Sequence, residues 1–145
     1  YKDFKYYVNR YQSHPSYSYL FFVIRKNKKI LGFFVGRECK YLNSKALRLV
    51  EYFGSINHIA NLKYNLIQLL SKKKYEYLDF YNLGFPKKIL IKAGFIRNNF
   101  LSSVIIPNYF EPFVKKNIKI QCVWWPQKVR IPIFKGDGDQ DRPNI

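Results

Sequence analysis

Apolar positions recur along this chain with two different periods. Within residues 2–12, Phe4, Tyr7, Val8 and Tyr11 stand three and four apart, which predicts a short helix with one apolar face. His14-Pro15 ends it, because the residue before a proline is driven out of the α region. Residues 17–25 and 29–37 are aromatic and β-branched runs separated by Lys26-Asn27-Lys28, and together they predict a β-hairpin. Residues 46–53 read as a third strand. Alternation places Leu47, Leu49 and Glu51 on one of its faces and Arg48, Val50 and Tyr52 on the other. Gly54-Ser55 closes it.

A longer period follows. Ile56, Ile59, Leu62, Leu66, Ile67, Leu69 and Leu70 trace one broad stripe, predicting a helix over 56–73. Ser55 or Asn57 is its candidate cap, and Lys72–Lys74 complement the dipole at its end. Residues 75–81 read as a strand. Residues 86–93 read as a short helix, with Pro86 in the first turn and Gly94 at the left-handed C-terminal position. Strand-like pieces are expected at 100–106, 118–125 and 128–134. The order predicts an α/β fold with a mixed, largely antiparallel central sheet and one β-α-β crossover. Residues 1–134 form a single domain, and 135–145 form an Asp-rich tail. Ligands favour the crevice at the carboxyl ends of such strands.

Composition narrows the class. One domain accounts for 145 residues. A chain that is 48% hydrophobic and 19% aromatic is too apolar to be disordered. The longest apolar run, residues 20–24, is far short of the ~18 residues of a membrane-spanning helix. The polar, aromatic start carries no secretory signal pattern. The absence of any Met points to a fragment or processed product with a truncated N-terminus. Cys39 and Cys122 lie far apart and outside any C-x-x-C pattern. They read as two reduced, buried thiols of a cytoplasmic protein rather than a metal knuckle or disulfide framework.

The charge is +17, with a pI near 9.9, which admits an anionic partner such as nucleic acid. A second cause competes with that reading. Lys, Asn, Ile, Tyr and Phe are all specified by A/T-rich codons, and they dominate the chain while Ala is scarce. The basic clusters at 25–29, 72–74, 87–88 and 115–119 stand at turns and helix ends, where lysines are solvated.

The element order, together with the stretch 89–95 ending Ala93-Gly94-Phe95, resembles the GNAT superfamily of acyl-CoA-dependent N-acyltransferases over residues 17–125. The stretch Arg10-Tyr11…His14-Pro15…Tyr17…Tyr19 and the tail Gly136-Asp137-Gly138-Asp139-Gln140-Asp141-Arg142-Pro143-Asn144 are similar to GNAT-like proteins of bacterial polysaccharide and cell-surface biosynthesis. The resemblance implies N-acetyl transfer from acetyl-CoA to an amine, such as an amino sugar. It also implies that the coenzyme pyrophosphate meets the start of the helix at 56. The turn there, Glu51-Tyr52-Phe53-Gly54-Ser55-Ile56-Asn57-His58, has one glycine where the family usually has two. Tyr52, Phe53, Gly54, Ser55, Asn57 and His58, with Asn82 at the end of the next strand, are the cofactor-binding residues so implied.

N-acetyl transfer needs an amine stripped of its proton, held near a thioester, and a proton for the leaving thiolate. Glu51, His58 and Asp79 are the candidate bases. Glu51 lies where the resemblance puts the reaction centre, while Asp79 reads equally as the buried partner of an arginine. Tyr81 and Asn82, at the end of the next strand, are candidates to donate to the thiolate or to bind the acceptor; the resemblance implies a tyrosine acid on the following helix, and residues 86–93 have none. No metal site is expected: Asp137, Asp139 and Asp141 alternate like the start of a calcium loop, but Arg142 replaces the required glycine. Trp124-Trp125 suits either core packing or stacking on a sugar or base. Two further function classes stand beside the enzyme. One is a catalytically degenerate GNAT-like binding or structural module of a larger protein. The other is a basic nucleic-acid-binding domain.

Overall fold

The computed structural model describes residues 2–98, 103–121, 123 and 132–138. Helix α1 (Phe4–Tyr7) continues through a π-helical turn, Val8–Gln12. The Asp3 carboxylate caps it by accepting a bond from the Tyr6 amide at 2.8 Å. Strands β1 (Tyr19–Lys26), β2 (Lys29–Tyr41) and β3 (Ser44–Gly54) form an antiparallel meander. Asn27 and Lys28 both take positive φ between β1 and β2, the backbone that suits the twist of a two-residue hairpin. β4 (Leu78–Phe80) joins the other edge of β3 in parallel, completing a mixed four-stranded sheet in the order β1-β2-β3-β4.

The crossover between β3 and β4 departs from the expected single helix. Ile56–Asn61 is a 3-10 helix, and α2 (Lys63–Lys73) starts only after it. The first segment is rich in asparagine and β-branched residues, which are weak α-helix formers. Ile67, placed on the apolar stripe by its spacing, faces solvent. Beyond β4 come β5 (Asn82–Leu83), helix α3 (Lys87–Lys92), the small hairpin β6–β7 (Tyr109–Phe110, Phe113–Val114) and β8 (Ile133–Phe134). β8 pairs antiparallel with β5.

Of the three expected strands, two are irregular chain over their described residues. Residues 103–106 and 118–121 pair with no strand. Instead the Asn117 side chain donates to the Val104 carbonyl and accepts from the Ile106 amide, doing locally what a ladder would do. Of the run 128–134, only Ile133 and Phe134 are strand; residues 128–131 lie outside the described residues. So do Phe100, Cys122, Trp124, Trp125, Asp139 and Asp141.

The sheet has two covered faces. One carries Ile24, Phe34, Leu47, Leu49 and Tyr52, and packs against the 3-10 segment, α2 and α3. The other carries Val35 and Val50 under the tyrosines of α1 and its π-helical extension. The changeover within β3 corrects the simple alternation. Val35 pairs with Glu51 but Gly36 pairs with Leu49, leaving Val50 as the extra residue of a β-bulge. The bulge flips the parity of everything after it. Glu51 therefore leaves the Leu47/Leu49 face and turns toward α1, while Tyr52 joins the helix-covered core.

Candidate functional site

An aromatic cleft of ≈ 990 Å³ lies between the N-terminal segment and the sheet. Tyr7, Tyr11, Tyr19, Phe21, Phe33 and Phe53 supply most of its wall, with Gln12, His14 and Ser18 as polar groups. The rings brace one another. Tyr7 stands edge-on to Phe33 at 5.0 Å, Tyr11 edge-on to Tyr19 at 5.0 Å, and Phe33 stacks on Phe53 at 5.5 Å.

Lys2 lines this cleft, and Glu51 lies behind it, fully buried. The Lys2 ammonium is 2.5 Å from Glu51 Oε2 and 2.6 Å from Asp137 Oδ1. It also lies 5.1 Å from the ring centroid of Phe134 and 5.6 Å from that of Tyr6. The Tyr11 hydroxyl donates to Glu51 Oε2 at 3.3 Å, and the Tyr52 amide donates to Oε1 at 3.1 Å. Burial raises the Glu51 carboxyl above its usual range, and this outweighs the opposing pull of Lys2. Burial acts against the Lys2 charge, yet the two carboxylates hold its pKa above the ordinary lysine value. Here a cation is gripped by two acids and two aromatic rings.

A second polar cluster lies further along the same face. Arg48 donates to Asp79 at 2.8–3.2 Å and to the carbonyls of Pro107 and Asn108 at 2.5 Å. Lys135 donates to Asn108 Oδ1 at 2.6 Å. The Tyr81 ring faces both cations, 5.9 Å from Arg48 and 5.3 Å from Lys135. Its hydroxyl is buried without a hydrogen-bond partner, and burial raises its pKa. The structure thus brings Asp79 and Tyr81 together but puts Glu51 with Lys2, Tyr11 and Asp137. Lys135 and Asp137 share the 3-10 turn Lys135–Asp137, which joins the two clusters.

That turn has a further consequence. Beyond Phe80 the chain turns into β5, which pairs with β8, and the segment β8 to Asp137 also packs on β3. Phe134 stacks on Phe80 at 5.7 Å, and Gly136 sits against the Tyr11 hydroxyl and the Val50 carbonyl. The crevice at the carboxyl ends of β3 and β4 is filled by the chain's own residues 134–136.

Several of the residues implied as a coenzyme cradle have partners within the chain. Gly54 (φ +136°) faces Gly32 across the strands, and a Cβ on it would stand 2.7 Å from the Leu31 carbonyl and 2.8 Å from the Tyr52 hydroxyl. The glycine thus answers to close strand packing. Tyr52 donates to the Ser55 carbonyl at 2.8 Å, and His58 Nδ1 is 3.2 Å from the Leu31 carbonyl, tying the turn back onto β2. Ser55 makes no capping bond, and Asn57 is exposed. Asn82 spends its amide on the Phe80 carbonyl at 2.9 Å. Phe53 alone of this set lines the aromatic cleft.

Sequence reasoning missed Lys2 and Tyr11 as partners of Glu51, because both lie on a helix and its lead-in remote in the chain. It singled out Asp137 for its alternation with other acids; the structure gives it to Lys2 and to the Phe134 amide. Among the described residues no group of three His, Cys, Asp or Glu side chains is placed to hold a metal ion, and no helix is long and apolar enough to cross a membrane. Comparison with family models, curated proteins and solved structures gives no match for this chain.

Proposed function

We propose that this domain receives a primary amine and takes a proton from it at Glu51, the acceptor half of an N-acyl transfer. One observation carries the reading: a fully buried carboxylate of raised pKa already holds an ammonium at the edge of an aromatic cleft. A base must lie within hydrogen-bond reach of the proton it removes, with a pKa near the working pH. Burial moves Glu51 in that direction. The tyrosine and phenylalanine walls suit a small ring, and the polar side chains Gln12, His14 and Ser18 suit its hydroxyls. An amino sugar has both features. The sequence resemblance to GNAT enzymes of cell-surface polysaccharide biosynthesis supports this choice and supplies acetyl-CoA as the donor to test.

A distinct observation favours a binding module that does not turn over. Residues 134–136 fill the crevice beside β3, and the turn at Gly54 is packed shut. Incubation with acetyl-CoA and D-glucosamine, followed by mass spectrometry of the sugar, separates the two readings. N-acetyl product that is lost in Glu51→Gln supports transfer. Amine binding without product supports the module. Neither binding nor product overturns both.

A further inference from the structure

We infer that Glu51 and Asp137 form a clamp for the ammonium of a ring-bearing primary amine, and that Lys2 is its resident occupant, displaced when the amine binds in the aromatic cleft. The inference rests on the amine-accepting reading above and adds the second carboxylate and the built-in competitor.

The geometry has three parts. The Lys2 ammonium lies between two carboxylates on separate elements, at 2.5 and 2.6 Å, with aromatic rings 5.1 and 5.6 Å away. Two acids and two ring faces recognise a compact cation rather than a neutral group. The same lysine lines a cleft large enough for a small ring, so it is Lys2 that stands between the cleft and the two carboxylates, and its displacement would open one to the other. Lys2 also precedes α1, in non-helical chain, and its side chain is 28% exposed. It can leave without unpacking the sheet. Tyr11 and the Tyr52 amide hold Glu51 in place when it does. An incoming ammonium would replace the lysine's charge one for one, so the buried Glu51 carboxylate is not left unpaired.

A resident competitor lowers apparent affinity by the fraction of molecules in which the clamp is open. Removing it should therefore tighten amine binding. The test uses the chain labelled with 15N-lysine and no acyl donor. The Lys2 ε-ammonium, shielded by its ion pairs, should give an observable resonance. Saturating D-glucosamine or cyclohexylamine should abolish or move it, while N-acetyl-D-glucosamine and cyclohexanol should leave it unchanged. Preference for the sugar identifies a hydroxylated ring, and preference for cyclohexylamine an apolar one. Lys2→Ala should bind the same amines about tenfold more tightly or better, and Asp137→Asn should abolish that gain.

If Lys2→Ala does not fold, the wild-type titration decides alone. An unmoved Lys2 resonance with both amines overturns the inference. Product formation from acetyl-CoA despite an unmoved resonance would overturn the clamp and leave the transfer reading standing. Displacement without product would do the reverse.

Discussion

The Arg48 guanidinium closes on the Asp79 carboxylate through Nε and Nη2, and both side chains are buried. The parallel register of β3 and β4, which sets Arg48 opposite Asp79, makes the pair. Two carbonyls on the 107–108 segment accept two further N–H groups of the arginine, from Nη1 and Nη2, so the pair also anchors irregular chain to the sheet. Asp79 is thereby committed to a charge partner. Asp79→Ala should destabilise the fold by about 3–5 kcal/mol, because it strands a buried cation. The paired replacement Arg48→Met with Asp79→Leu should recover most of that loss. Urea unfolding of the two variants against the wild type measures it; a mild single variant would free Asp79 for a catalytic role.

Gly136 lets the C-terminal turn enter the crevice beside β3. A Cβ there would meet the Tyr11 hydroxyl and would stand 2.7 Å from the Val50 carbonyl. Gly136→Ala should cost about 1–3 kcal/mol by overpacking. The strain should loosen β8, so amide exchange at Asn82 and Leu83 should quicken while β1 and β2 stay protected. Unchanged exchange at β5 would mean that the turn does not wedge the crevice.

Gly54 separates two accounts of the turn after β3. If it exists for strand packing, Gly54→Ala should lower stability by about 1–3 kcal/mol, because the new methyl meets backbone at positive φ. Any stabilisation by acetyl-CoA in a thermal-shift titration should be unaltered. If the glycine also serves a phosphate, the same stability loss should be accompanied by loss of coenzyme protection.

How much of this was legible beforehand depends on the range of the interaction. The hairpin Tyr19–Lys26/Lys29–Tyr41 and the strand after it were readable, since alternation and an Asn-containing turn are local signals. The short helix before Gly94 was readable for the same reason. The face of Glu51 was not, because one extra residue at Val50 reverses every later side chain and leaves no mark in composition. The helix at 56–73 split because tertiary contacts from Tyr52 and His58 hold its first turn tight. Glu51 was recognisable as a lone acid in an apolar strand, but Lys2 and Asp137 reach it from opposite ends of the chain. No periodicity encodes such a meeting.

Alkaline pH should undo this fold, and Tyr52 shows why. Burial raises its phenol from 10.0 to about 12, with its hydroxyl donating to the Ser55 carbonyl. Below pH 10 the folded and unfolded chains both keep the proton, and stability does not depend on it. Between pH 10 and about 12 the unfolded chain releases the proton while the folded chain retains it. Each such group then favours unfolding by about 1.4 kcal/mol per pH unit. Burial likewise raises the phenols of Tyr7, Tyr11 and Tyr77. Lys2, also raised, contributes stability that is lost as pH climbs through its folded pKa above 10.5. Above the window in which the raised Glu51 carboxyl titrates, the urea midpoint should therefore be flat to about pH 9.5 and fall steeply beyond pH 10. Tyr52→Phe costs about 1 kcal/mol of hydrogen bond at neutral pH. It should reduce the slope between pH 10 and 12 by close to one proton. Absorbance of ionised tyrosine, followed alongside unfolding, checks the cause: the buried phenols should ionise only as the chain opens. A slope unchanged by Tyr52→Phe would place that hydroxyl in contact with solvent.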